Sequence, residues 1–125
     1  MSKQLLEIVL PRLAKPLYDQ LQRYRAGKMN DKQFTQGFES LLRKQHAWLA
    51  RRGVPEDRAA LVIHGAVLVL SGPGLRAEAV ETNTPLEQIE YRAAREAAAD
   101  VARNYDLDEN QAYRMISKIM ARYGD

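Results

Sequence analysis

The sequence contains no cysteine and only two histidines. Without cysteine the chain cannot form a disulfide bond, a cysteine-ligated zinc site or a thiolate nucleophile, which fits a reducing compartment. His46 and His64 have no carboxylate or second histidine three or four residues away, the spacing typical of metal sites on helices. We therefore expect no metal ion, no cofactor and no enzymatic activity. His64 lies among apolar residues as a core or ligand-facing group, whereas His46 lies on a predicted polar face.

Long hydrophobic runs are also missing. A bilayer-spanning helix needs roughly 20 apolar residues, and the most apolar stretch here covers only residues 59–70. Residues 1–10 carry a lysine and a glutamate and no sustained apolar segment, so we expect no secretory signal peptide and a cytoplasmic protein. A length of 125 residues without low-complexity segments is ordinary for one domain. The sequence therefore predicts a single helical domain over residues 1–125.

The stretch 59–70, AALVIHGAVLVL, is interrupted only by His64 and Gly65. A segment that is apolar on every side must be covered on every side, so we expect it at the centre of the fold. Pro55 followed by two acidic residues is typical of a helix start, and no second strand-like run is present to pair with it. The predicted fold class is all-α, a single-domain bundle of four to five helices around a central apolar helix at about 55–70.

Helical spacing of apolar residues predicts two helices before this segment. The first is a short helix from residue 3 to about residue 10, which continues after a kink or break at Pro11 and Pro16 as a helix to residue 26, because each proline removes a backbone donor. The second begins at Asn30, where Gln33 completes a capping box, and it ends at Gly53.

Two further helices are predicted after it. One begins with Thr84 as its cap and runs to about residue 105, and the other begins at Asp108 and runs to about residue 123. Residues 72–84 are predicted to be a variable connection that holds a short helix at 75–81.

Charge is divided unevenly along the chain. Residues 1–53 carry 11 basic and 4 acidic side chains, whereas residues 54–125 carry 8 basic and 12 acidic side chains. The two halves of opposite sign are expected to attract each other, either within one fold or between two copies. The alternative is that the basic half binds an acidic partner such as nucleic acid.

The segment VARNYDLDENQAYRM, residues 101–115, resembles a helix-turn-helix element, and the resemblance covers about a fifth of the chain. Ala102, Leu107, Ala112 and Met115 stand where that element has its packing residues, and Asp106 stands where its turn usually has glycine. The resemblance implies DNA contacts by a group of side chains in the second helix, namely Asn110, Tyr113, Arg114, Ser117, Lys118 and Arg122. Two ordinary antiparallel helices would produce the same pattern.

The predicted function follows from these observations. We expect a small non-enzymatic helical interaction or regulatory protein that acts through protein–protein contacts and self-associates as a homodimer. Phe34, Phe38 and Trp48 are the predicted protein contacts, provided that their face is exposed. The alternative is a DNA-binding regulatory protein that uses the element at residues 97–123. Glu87 and Glu90 bring two carboxylates together one turn apart, but acid and base chemistry there would also need a cleft.

Overall fold

A computed structural model describes the chain over residues 2–123, with side chains from residue 5 onward. These residues form six α-helices and no strand, which confirms the all-α class. The helices are α1 (Ser2–Arg25), α2 (Asp31–Arg51), α3 (Glu56–Leu70), α4 (Gly72–Glu81), α5 (Leu86–Tyr105) and α6 (Glu109–Tyr123). Their number is six instead of four or five, and residues 72–81, predicted to be a connection with a short helix at 75–81, form a helix of their own.

Helix α1 is continuous through both of its prolines. Of the kink or break predicted at Pro11 and Pro16, the break is absent. Each proline removes one backbone hydrogen bond, but the apolar stripe of the helix is buried both before and after them, at Leu6, Leu13 and Leu17. Packing of this stripe therefore outweighs the local cost of the prolines.

Helix α3 contacts each of the other five helices. One side packs with α1, α2 and α6 around a cluster that includes Leu6, Leu49 and Ile63. The other side packs with α5 and α6 around an alanine-rich cluster that includes Ala98 and Ile116. Because small side chains line α5, neighbouring helices can approach its backbone closely.

The structure contains the predicted capping residues at the starts of α2 and α6 and the predicted glycines at the ends of α1 and α2. The Asn30 side chain accepts from the backbone of Gln33 and the Gln33 side chain accepts in return, which forms the capping box at α2. Asp108 accepts from the backbone of Gln111 at 2.9 Å and caps α6 in the same way. Gly27 and Gly53 follow α1 and α2 with φ of 75° and 81°, a backbone region that favours glycine.

The predicted cap at α5 differs. Thr84 makes no capping hydrogen bond to the helix, and Pro85 occupies the cap position. The Thr84 hydroxyl instead bonds to Thr82 within the turn. Proline fixes its own φ near the required value, so this helix begins without a side-chain cap.

Helix α4 has no buried residue, and Val80 near its end is 82% exposed. In residues 2–123 no single helix is long and apolar enough to cross a membrane. Helices α3 and α4 reach the necessary length and composition only as a pair with a bend of 54° between them.

Candidate interaction surfaces

The side chains of Arg12 and Arg52 both stack on the indole of Trp48. Each guanidinium carbon lies 4.1 Å from the ring centroid. The indole itself is partly buried and packs against the core formed by α1, α2 and α3. We call these three residues the arginine–tryptophan stack. It holds two positive charges on one aromatic side chain, an arrangement that favours binding of an anionic group.

The position of Arg12 is fixed by a hydrogen bond to the neighbouring helix. Its Nε donates to Oε1 of Gln45 at 3.0 Å. Gln45 is only 5% exposed and is the buried polar side chain of this core. Because a buried amide oxygen without a partner is costly, this bond holds the arginine in place.

Phe34 and Phe38, the other two predicted protein contacts, are both partly buried. Phe34 stacks on Tyr24 of α1 with a centroid distance of 4.8 Å. The Tyr24 hydroxyl donates to the Asp31 carboxylate, and this hydrogen bond raises the pKa of Tyr24. Tyr24 and Phe34 therefore hold the turn between α1 and α2. Among the three predicted protein contacts, Trp48 is the one stacked between arginine side chains.

The turn between α5 and α6 has a left-handed residue at the position where the helix-turn-helix pattern usually has glycine. Asp106 lies in the left-handed region, with φ of 55° and ψ of 49°. Ala112 is buried, and Ala102, Leu107 and Met115 are partly buried. Leu107 and Met115 also line a groove of about 490 Å³ beside the start of α3.

The predicted DNA-contacting residues lie in three different environments. Arg114, Lys118 and Arg122 are exposed along α6. Asn110 and Tyr113 are instead engaged by Arg95 of α5. Its Nη1 donates to Oδ1 of Asn110 at 3.0 Å, and its guanidinium lies 4.0 Å from the ring centroid of Tyr113.

Ser117, the remaining residue of that prediction, lies in a groove between α5 and α6. The groove has a volume of about 370 Å³ and is lined by Glu87, Glu90, Tyr91, Ala94, Tyr113, Ser117, Met120 and Ala121. Tyr91 and Tyr113 meet edge to face with their centroids 5.5 Å apart. We call this feature the acidic groove. The two carboxylates noted in the sequence thus border a cleft, which the sequence alone could not establish.

In the described part of the chain, the two members of each ion pair come from the same half of the sequence, either residues 1–53 or residues 54–125. The pairs are Lys15–Asp19 at 3.2 Å, Arg43–Glu39 at 4.0 Å, Arg95–Glu109 at 3.8 Å and Arg103–Asp100. None of them joins the basic residues before position 54 to the acidic residues after it. Among the residues with described side chains, the arginines of the stack and the glutamates of the acidic groove belong to no ion pair.

His46 does not lie on a solvated face, and that expectation is wrong. It is partly buried and stacks on Tyr105 at the end of α5, with a centroid distance of 6.3 Å. Burial lowers the pKa of His46, the electrostatic effect of the neighbouring His64 lowers it further, and Glu56 acts in the opposite direction. His64 is also partly buried, and its Nδ1 is 2.9 Å from the carbonyl oxygen of Ala60 on its own helix.

Three residues that the sequence did not single out organise these surfaces, namely Arg12, Gln45 and Arg95. Gln45 offers a weak signal, because it falls on the apolar period of α2 between Leu41 and Leu49. The sequence around Arg12 and Arg95 does not reveal their roles, because both contact residues of another helix.

In comparisons with known proteins, the chain matches no protein-family model, no curated protein and no solved structure. Across the described residues, no group of three or more histidine, aspartate or glutamate side chains is placed to hold a metal ion.

Proposed function

We propose that this chain is a small non-enzymatic helical interaction protein of the cytoplasm that self-associates as a homodimer. In the proposed dimer the basic half of one copy meets the acidic half of the other. The observation that carries the proposal is the distribution of ion pairs, because none among the described residues joins the two halves within one chain.

The opposite charges of the two halves of the sequence support a dimer in which the basic surface of one copy contacts the acidic surface of the other. Opposite patches on the same chain can satisfy each other twice in a two-fold symmetric dimer, the commonest form of homo-oligomer. Such patches also guide the two copies into one orientation. The partly buried Trp48 supplies the aromatic component that protein interfaces favour.

The proposal is tested by the mass of the purified protein in solution. Sedimentation velocity should give twice the 14.2 kDa of one chain at about 50 mM salt, with a monomer fraction that rises on dilution. At about 1 M salt, where exposed charges are screened beyond about 3 Å, the dimer should dissociate more readily. A chain that remains monomeric at low salt, even at about 100 µM, would contradict the proposal.

DNA binding is the second candidate function, and one observation favours it. Asp106 has a left-handed conformation at the position where the helix-turn-helix pattern usually has glycine, and Arg114 and Lys118 are exposed after it. Binding of a labelled mixed-sequence duplex should then weaken steeply between about 50 and about 200 mM salt. Replacing Arg114 and Lys118 with alanine should weaken it and flatten its salt dependence, while the same change at Arg43 and Lys44 should not.

A further inference from the structure

We infer that the arginine–tryptophan stack of one copy docks into the acidic groove of a second copy, so that a two-fold dimer contains this contact twice. The inference rests on the proposed self-association and names the surfaces that would produce it. A second copy of this chain is the occupant of both surfaces.

The stack is prepared for a carboxylate partner before any partner arrives. The indole of Trp48 fixes both guanidinium groups at 4.1 Å, and the buried Gln45 holds Arg12 by its Nε. Side chains already held in place lose less conformational entropy when they bind. Two like charges held on one ring also repel each other, and a carboxylate placed between or beside them would relieve that repulsion.

The acidic groove has the complementary chemistry. Glu87 and Glu90 supply two carboxylates, and Tyr91 and Tyr113 supply aromatic surface. The wall of the groove already accommodates a guanidinium, because Arg95 lies over Tyr113. Its volume of about 370 Å³ also falls in the range of about 300–1,000 Å³ that is typical of binding pockets.

The two surfaces belong to different parts of one chain. The stack is formed by α1 and the end of α2, whereas the groove lies between α5 and α6. No ion pair among the described residues links them, and the inference assigns their contact to a second copy. A nucleic acid would satisfy the stack alone, since its phosphates would be repelled by the glutamates of the groove.

Charge reversal tests this contact directly. Arg52→Glu and Glu87→Arg should each weaken dimerisation by about tenfold or more, because either change places like charges opposite each other in both copies of the contact. A mixture of the two variants should form a heterodimer. In that heterodimer one contact is the native one and the other has its charges exchanged. Native mass spectrometry of the mixture, with one variant isotopically labelled, measures the fraction of heterodimer directly.

Matched controls use the same charge changes on α2, which ends one residue before Arg52, and on α5, which contains Glu87. Arg43→Glu on α2 and Glu96→Arg on α5 alter exposed residues outside both surfaces. Both control variants should dimerise as the wild type does. Circular dichroism checks that every variant is folded. Recovery of the heterodimer would also show that both charge-reversed variants are folded. If Arg52→Glu fails to fold, Arg52→Gln takes its place and should weaken the dimer by a smaller factor.

The outcomes separate the two proposals. If the wild type dimerises and Arg52→Glu and Glu87→Arg dimerise equally well, the surfaces are wrong and self-association stands. If each variant is monomeric and the mixture does not recover a heterodimer, the two residues do not meet and the inference is overturned. If Arg52→Glu leaves the dimer intact and abolishes DNA binding, the stack binds phosphate instead. A wild type that is always monomeric overturns both proposals.

Discussion

Gly65 of α3 lies directly against Ile119 of α6. A β-carbon at position 65 would be 2.7 Å from Cδ1 and 2.9 Å from Cγ2 of Ile119. Both residues are buried where α6 crosses the central helix. Glycine at this position therefore sets the distance between the two helices.

Replacing Gly65 with alanine should lower the free energy of unfolding. Crowding a packed core costs about 1–3 kcal/mol, and alanine recovers up to about 1 kcal/mol through its helix propensity. Ile119 is β-branched and cannot rotate away freely, so we expect a net loss of about 1–2 kcal/mol. Urea denaturation of the single variant, and of Gly65→Ala combined with Ile119→Val, measures the effect. The loss should be smaller in the valine background, and an equal loss in both backgrounds would contradict the proposed contact.

Gly74 provides the matched control. It lies inside α4, and no heavy atom lies within 4 Å of a β-carbon built there. Gly74→Ala should therefore raise the free energy of unfolding, by about 0.5–1 kcal/mol, because only helix propensity changes. The two glycine variants are thus expected to have opposite signs in the same denaturation experiment.

Local signals in the sequence predicted most of the helices. The capping residues Asn30 and Asp108 and the apolar run of α3 act over one or two turns, so their neighbours in sequence reveal them. Prolines 11 and 16 were misleading because the burial that keeps α1 intact comes from α2 and α3. Gly65 interrupts an apolar run in the sequence, but only the position of α6 shows why glycine is required there.

The candidate surfaces were much less accessible from sequence. Arg12 and Gln45 are 33 residues apart, and their hydrogen bond depends on how α1 packs against α2. The uneven charge of the two halves could be counted, whereas the absence of ion pairs between their described residues required coordinates. His46 was misplaced because Tyr105, which covers it, is 59 residues away in the sequence.

Arg95 joins α5 to α6 and should contribute measurably to stability. Its Nε donates to the Tyr91 hydroxyl at 3.1 Å, and its guanidinium contacts Asn110 and Tyr113. Arg95→Ala should lower the free energy of unfolding by about 1–2 kcal/mol, the range expected for a cation–π contact together with charged hydrogen bonds. Urea denaturation measures this loss.

Arg103 is the control for Arg95. It is on the same helix but highly exposed, and it pairs only with Asp100 one turn earlier. Exposed pairs of this kind contribute little, so Arg103→Ala should cost less than about 0.5 kcal/mol. Equal losses in the two variants would mean that the α6 contacts of Arg95 contribute nothing to stability.

Position 106 should accept glycine without loss of stability, whereas alanine there should destabilise the fold. Its φ of 55° lies in the left-handed region, which costs a residue with a β-carbon about 1–2 kcal/mol and glycine almost nothing. Asp106→Gly should leave the free energy of unfolding unchanged or raise it by up to about 1 kcal/mol, whereas Asp106→Ala should lower it by about as much. Thermal denaturation of both variants tests the order. Asn83, with φ of 51°, should follow the same order when changed to glycine and alanine.

His46 should make stability depend on pH below neutrality. Its pKa in the folded chain is lowered from the ordinary value of 6.5, mainly by burial. The unfolded chain therefore takes up the proton first as the pH falls. The contribution of neutral His46 is complete well above pH 6.5, and it is lost as the pH falls through 6.5 towards the lowered pKa.

The expected result is a free energy of unfolding that declines between about pH 7.5 and about pH 5 in the wild type. His46→Phe keeps an aromatic ring against Tyr105 but cannot be protonated, so its decline over that interval should be smaller. His64→Gln removes one cause of the lowered pKa and should also reduce the decline, by a lesser amount. Urea titrations at each pH give these slopes. Parallel curves for the wild type and His46→Phe would show that other groups control the acid sensitivity of the fold.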